Sequence, residues 1–467
     1  MAIDPTPRNA AHLWRRAAFG ATPEQIDQTT RDGIEATVAS MFDHRRAVDA
    51  GKPVRGTGPQ PFGTEHLNTW FLHLAVTSPT PAIERLVWFW HGHFATNIDK
   101  FEGPELFHSQ LTTFRRHGMG RFDDLLKLMA RDPAMMLWLD LQTSVIGRPN
   151  ENYARELMEL FTLGVDGGYT QRDVAEVARA FTGYHVTEYP PPVSATVSSA
   201  LHDDGVKEIL GRRGRFTGDD VVDLIVERAA CHRFVAGRFW TRYAGTEPPT
   251  DVLDDLAAAL GRRLIVHDLV TAMFTHPAFY ADEVQSGLIA QPVETVANAL
   301  RGFGARTFDV TAADLVEDDD ADDHHDDDED HDADDGGDAA TFPWIVPLEM
   351  LDDMGQVLAH PPNVGGWPHN EPWIDATRSI GRLNAAIRFA DEIVEADTAV
   401  VREIVDAAGR GGSDVTRSIM AAFGHVEWSP ETEAAIRAAI DDAGDDEYRR
   451  LTSAITIAFT SPEVTLS

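Results

Sequence analysis

Apolar residues recur along this chain mostly at three- and four-residue spacing, the period that gathers them on one face of an α-helix. The pattern predicts helices over Pro23–Phe42, Glu65–Thr77, Pro81–Phe94 and Glu105–His117. It continues over Phe122–Ala130, Glu151–Leu163, Gln171–Phe181 and Gly218–Glu227. Later windows are Val252–Leu260, Ile265–Thr275, Gln291–Gly302, Leu348–Leu358, Ile380–Ala396 and Glu431–Ala443. End signals agree with several of them: Thr22-Pro23 opens one, and Gly118, Gly164 and Gly183 stand just past others. Strand-type alternation is scarce. Only Val186–Val197, β-branched and proline-rich, reads as a small hairpin or a long loop. The expected fold class is all-α, a large multi-helix array forming one body over residues 1–467.

One stretch breaks the helical pattern. Glu317–Asp338 holds fifteen acids, no Lys or Arg, and histidines at 324, 325 and 331. Such a segment cannot bury enough apolar surface to offset the entropy of ordering it, so residues 316–340 are expected to form a disordered acidic insertion. Weak metal collection by its Asp/His mixture is the alternative.

Charge then changes the picture. The chain carries 76 acidic against 40 basic side chains, net −36, and without the fifteen acids of the insertion the remainder still carries −21. Arg outnumbers Lys, and Ala, Asp, Val and Gly are heavily used. A surface of this kind suits molar salt, where repulsion between carboxylates is screened over about 3 Å, so a halophilic chain is expected. Binding along a nucleic-acid backbone needs clustered Lys and Arg and is not expected. The single Cys231 excludes an intrachain disulfide and a cysteine-based zinc site. No window approaches the eighteen or so apolar residues a membrane span needs, and no export signal is recognised at the start, so a cytoplasmic location is expected.

Three segments could carry chemistry. In Trp88-Phe-Trp-His91-Gly-His93-Phe-Ala-Thr-Asn97, a His-x-His pair can share a metal ion if the backbone is extended. In a helix the two rings point about 200° apart and cannot share one. His91 and His93 are therefore metal-ligand candidates, with buried structural histidines as the competing reading. The second segment runs from Arg148 to Gly164. Tyr153, Leu157, Met158, Leu160 and Phe161 make its apolar face, while Glu151, Asn152, Arg155, Glu156 and Glu159 gather opposite. Asn150 suits an N-cap. Turned inward, this face could hold a divalent cation, with Glu159 as ligand and Glu151 and Glu156 as catalytic candidates; turned outward, it is a surface with i,i+4 ion pairs. Third come His202-Asp203 and the Pro-, Gly- and Trp-rich stretch His360–Trp373. Rigid irregular loops often line pockets, so Asn363 and Trp367, together with Asn97, Asn150 and Arg155, are ligand-binding candidates.

These segments together resemble domain-of-unknown-function family 1800. The resemblance rests on His12-Leu-Trp-Arg15-Arg16-Ala-Ala-Phe-Gly20-Ala-Thr-Pro23, Phe89–Thr96, Ala130–Leu137, Pro149–Gly164 and Thr170–Tyr184. It continues through His202-Asp203, Lys207, Leu210-Gly211, Pro292-Val-Glu294, Gly355-Gln356 and Pro361–Pro368. It implies a helical protein without an assigned reaction, many of whose relatives look exported and lie beside genes of a second uncharacterised family. Gln291 stands where relatives tend to place Lys. Two functional expectations follow. One is a binding or assembly protein acting with a neighbouring gene product. The other is a metal-assisted hydrolase using His91, His93, the Glu151–Glu159 face, His202 and Asp203 around one cleft.

Overall fold

The computed structural model describes residues 3–43, 64–101, 103–187, 193–305, 345–408, 412–425 and 427–466. The acidic insertion expected over 316–340 lies outside these residues. Helices dominate, and the strands form two small antiparallel hairpins. β1 (Tyr184–Thr187) pairs with β2 (Ser194–Val197), and β3 (Lys207–Ile209) pairs with β4 (Arg212–Gly214). The first lies where the β-branched run placed it. The second escaped the pattern because its strands are three residues long; it turns at Leu210 and Gly211, both at positive φ (52° and 78°). Two left-handed residues in succession give the turn that matches strand twist.

Local chemistry fixes many helix starts. Thr22, Thr170 and Thr217 each cap a helix whose third residue answers with its own side chain, a reciprocal pair that satisfies two orphan donors. Proline opens the helices Pro7–Ala17, Pro81–His93, Pro104–His117 and Pro292–Gly302, where its missing N–H costs nothing.

The Pro81–His93 helix runs through the core. Every residue in it except Gly92 is buried, the pattern of a helix surrounded by other elements rather than lying on a surface. Trp90 stacks against Phe94 and Phe122 and meets Phe89 and Phe239 edge-on. Its indole N–H donates to the Gly118 carbonyl at 3.1 Å. Two charges on this helix are also buried, and both are paired: Glu84 with Arg115 at 2.6 Å and Arg85 with Glu294 at 2.6 Å. The C-terminal part of the chain packs as helix pairs, Ala376–Glu395 against Glu447–Thr460 and against Ile345–Asp353.

The run expected to be one helix from Glu151 to Leu163 is corrected in its second half. Glu151–Glu156 is α-helical, and Leu157–Thr162 widens into a π-turn. There Leu163 N–H reaches the Met158 carbonyl and the Thr162 hydroxyl donates to the Leu157 carbonyl. A wider turn leaves carbonyls free to bond outside their own helix, and such turns recur at functional sites.

Candidate functional site

His91 and His93 both lie on the last turn of the Pro81–His93 helix, so the extended geometry that would let them share an ion is not adopted. They meet different surroundings. His91 is buried beside Trp88 and edge-on to Phe107, and neither ring nitrogen has a hydrogen-bond partner among the described residues. Burial pushes its pKa down to about 3. His93 is paired through Nε2 with the Phe161 carbonyl at 3.1 Å, in the π-turn. A carbonyl only accepts, so Nε2 carries the proton and Nδ1 keeps a lone pair. Burial, reinforced by Arg238, lowers its pKa to about 3, and the ring is neutral at ordinary pH.

The Trp-rich loop folds back onto this helix end. Asn97 caps the short turn Ile98–Lys100, and its amide donates to the Pro361 carbonyl at 3.2 Å. Gly366, at φ +81°, sits directly on Gly92. Trp367 stacks on Trp88 with ring centroids 6.3 Å apart. Asn363 stays at the surface, where its side chain accepts the Gly365 N–H at 2.8 Å. Two of the three sequence segments thus converge, and the π-turn of the remaining helix touches the same place through Phe161.

Where they meet, a cavity of about 100 Å³ opens, walled by Phe89, His93 and Trp367. Its fourth side is the helix Ala229–Ala244, which contributes Arg238, Thr241 and Arg242. Arg238 is reached by solvent and has no hydrogen bond or ion pair among the described residues. Protein atoms crowd round it nonetheless, and this burial lowers its pKa. Arg242 lies deeper. It bonds the Gln291 side-chain oxygen and stands 3.9 Å from Glu294. His369 donates from Nε2 to the Thr241 carbonyl at 2.6 Å, and burial, together with Arg242, lowers its pKa to about 4. Gln291 ties the wall together. Its side-chain oxygen also accepts from Trp88 Nε1 at 2.8 Å, and its amide donates to the Pro368 carbonyl at 3.1 Å.

The other candidates lie elsewhere. Glu151 pairs with Arg155 at 3.1 Å and accepts from Gln171 at 2.7 Å, while Arg155 also donates to Gln171. Asn150 is the helix cap, accepting from Asn152 N–H at 2.9 Å. Burial, then the neighbouring Glu159, raises the Glu156 pKa. His202 is held through Nδ1 to the Thr182 carbonyl at 3.0 Å, in a separate hollow beside Tyr184 and Asp219. Asp203 pairs with Arg179 at 2.8 Å, which holds its carboxyl below the usual range. Among the described residues no three His, Cys, Asp or Glu side chains gather as a metal-binding group. His93 lines one pocket and His202 another.

Sequence reading missed Arg238, Thr241 and Arg242 because their helix carries no clean amphipathic stripe: apolar and basic residues alternate around it. The available signal was the i,i+4 arginine pair, which places two guanidiniums on one face.

The chain belongs to the family described as protein of unknown function (DUF1800), whose model matches residues 12–466. No curated protein and no solved structure matches it. No helix among the described residues is long and apolar enough to cross a membrane.

Proposed function

We propose that this member of the DUF1800 family is a ligand-binding protein whose recognition site is the pocket between the Pro81–His93 helix, the Ala229–Ala244 helix and the Trp-rich loop. The observation that carries the reading is Arg238, a guanidinium without a partner among the described residues, standing in a cavity on which separate segments of the chain converge. Concave sites with aromatic walls and a few convergent polar groups are where ligands bind. The two histidines serve as fixed neutral walls, because each spends its proton on a backbone carbonyl.

The test uses Gly92. Gly92 lines the cavity, and a Cβ there meets nothing within 4 Å, so Gly92→Leu is the variant chosen to narrow it. Wild-type protein equilibrated with a small-molecule cell extract and washed retains a compound that mass spectrometry identifies, and Gly92→Leu loses it. Equal profiles for the two proteins overturn the reading.

A second reading, metal-assisted hydrolysis, is favoured by Glu156 and Glu159. Their carboxylates adjoin one another and have no hydrogen bond or ion pair among the described residues. In this reading Glu156 and Glu159 hold a divalent ion, with one carboxylate acting as base on bound water.

A further inference from the structure

The charge inventory around the pocket says what kind of ligand it takes, provided that the pocket is the recognition site proposed above. None of its lining residues is acidic. The carboxylate behind the wall is Glu294, and it is already engaged by Arg85 at 2.6 Å and by Arg242 at 3.9 Å. Arg16 also faces Glu294 and Arg85, and Arg238 faces Arg242. Arg16, Arg85 and Arg242 thus share one carboxylate, with Arg238 beside Arg242. Arg16 and Arg85 are fixed by other means: Arg16 donates to the Val284 carbonyl at 2.6 Å, and Arg85 lies 5.0 Å over the Tyr243 ring. Arg238 alone of the four faces the cavity without a partner.

Arg238 carries its positive charge exposed to solvent, where an anion can reach it. His93 and His369, being neutral, add no charge. Of these guanidiniums, Arg238 and Arg242 line the cavity together with Thr241, one helical turn apart. A guanidinium presents a planar fork of donors that matches the oxygens of an oxyanion. The cavity, at about 100 Å³, is several times the roughly 10–15 Å³ that admits one water. It suits one small oxyanion or the end group of a longer molecule. Two guanidiniums on one wall favour a divalent anion over a carboxylate. The setting is also selective: in a chain of net charge −36, a carboxylate-free wall is where an anion meets least repulsion.

We infer that this pocket binds a tetrahedral oxyanion, phosphate or sulfate, either free or as the terminal group of a larger molecule, with Arg238 as its direct ligand and Arg242 supporting from behind.

The test is isothermal titration of the full chain with sodium phosphate, sodium sulfate, phenyl phosphate and sodium acetate, at constant ionic strength set with sodium chloride. The expected result is one phosphate or sulfate per chain, with acetate at least tenfold weaker. Arg238→Gln weakens the oxyanion at least tenfold while leaving the thermal unfolding midpoint in place. Phenyl phosphate binding more tightly than phosphate identifies the end group of a larger ligand, and equal affinity identifies the free ion. Binding of neither phosphate nor sulfate, or equal affinity in wild type and Arg238→Gln, overturns the inference. Failure is also assignable. If Gly92→Leu abolishes retention of an extract compound while Arg238→Gln does not, the recognition site stands and the oxyanion assignment falls. If neither variant changes retention, both fall.

Discussion

Gly366 lies so close to Gly92 that a Cβ at 366 would stand 2.1 Å from the Gly92 carbonyl oxygen. This contact locks the Trp-rich loop onto the end of the His-Gly-His helix, and it makes the two glycines unequal. Gly366 also has φ +81°, a region that costs a side chain about 1–2 kcal/mol before any clash. Gly366→Ala is expected to destabilise the protein by more than that, because the neighbouring atom is backbone and cannot move aside. Gly92→Ala meets open space within a helix and is expected to be neutral or to stabilise by up to about 1 kcal/mol. Thermal unfolding of both variants checks the pair; equal effects contradict the contact.

The buried ion pair Glu84–Arg115 gives a second prediction. Arg115 Nε stands 3.0 Å and Nη2 2.6 Å from the carboxylate, with Glu84 fully buried. Glu84→Ala removes the carboxylate that neutralises Arg115 in the core, and denaturant unfolding is expected to show a loss of about 3–5 kcal/mol. Glu84→Leu combined with Arg115→Met removes both charges and is expected to recover most of it. A double variant as weak as the single one contradicts this account.

Acid sensitivity follows from His91 and His93. Both have folded pKa values of about 3, against about 6.5 in the unfolded chain. For a base whose folded pKa is depressed, the unfolded chain takes up the proton first. Stability is therefore untouched above about pH 6.5 and is lost as pH falls towards about 3, at up to 1.36 kcal/mol per unit for each ring. His91→Leu, at a position without hydrogen bonds, is expected to flatten this dependence with little loss at pH 7.5. Unfolding midpoints across pH 4 to 8 measure it, and an unchanged slope contradicts the prediction.

Metal content separates the two functional readings. Protein purified in high salt without chelator is expected to carry no stoichiometric metal that depends on Glu156 and Glu159. Elemental analysis of wild type, Glu156→Ala and Glu159→Ala decides the matter. One ion per chain, lost in both variants, would favour hydrolysis.

Much of the architecture was legible because helix periodicity and caps are local signals. Pro81–His93 and Gln171–Ala180 fall within a residue of the windows that the apolar spacing predicted. The π-turn at Leu157–Thr162 was not legible, since its apolar spacing also fits an α-helix, and what it adds is the link from Phe161 to His93. At the site, the His-Gly-His helix and the Trp-rich loop stood out by composition, and they do meet. Arg238 and Arg242 did not stand out. They matter because of which carboxylates are absent around them, and that is a property of packing between segments far apart in the chain. Glu151, Arg155 and Asp203 stood out for the opposite reason, as charges near partners, and those partners are where the charges are spent.

Among the described residues Arg238 stands without a partner in a pocket built from three segments, which arginine-selective labelling with phenylglyoxal, resolved by mass spectrometry, checks. Labelling is expected at Arg238 with Arg85 and Arg242 spared, and more slowly at Arg238 in Gly92→Leu, where a side chain is added to the cavity lining. An inert Arg238, or one labelled at the same rate in both proteins, would contradict it.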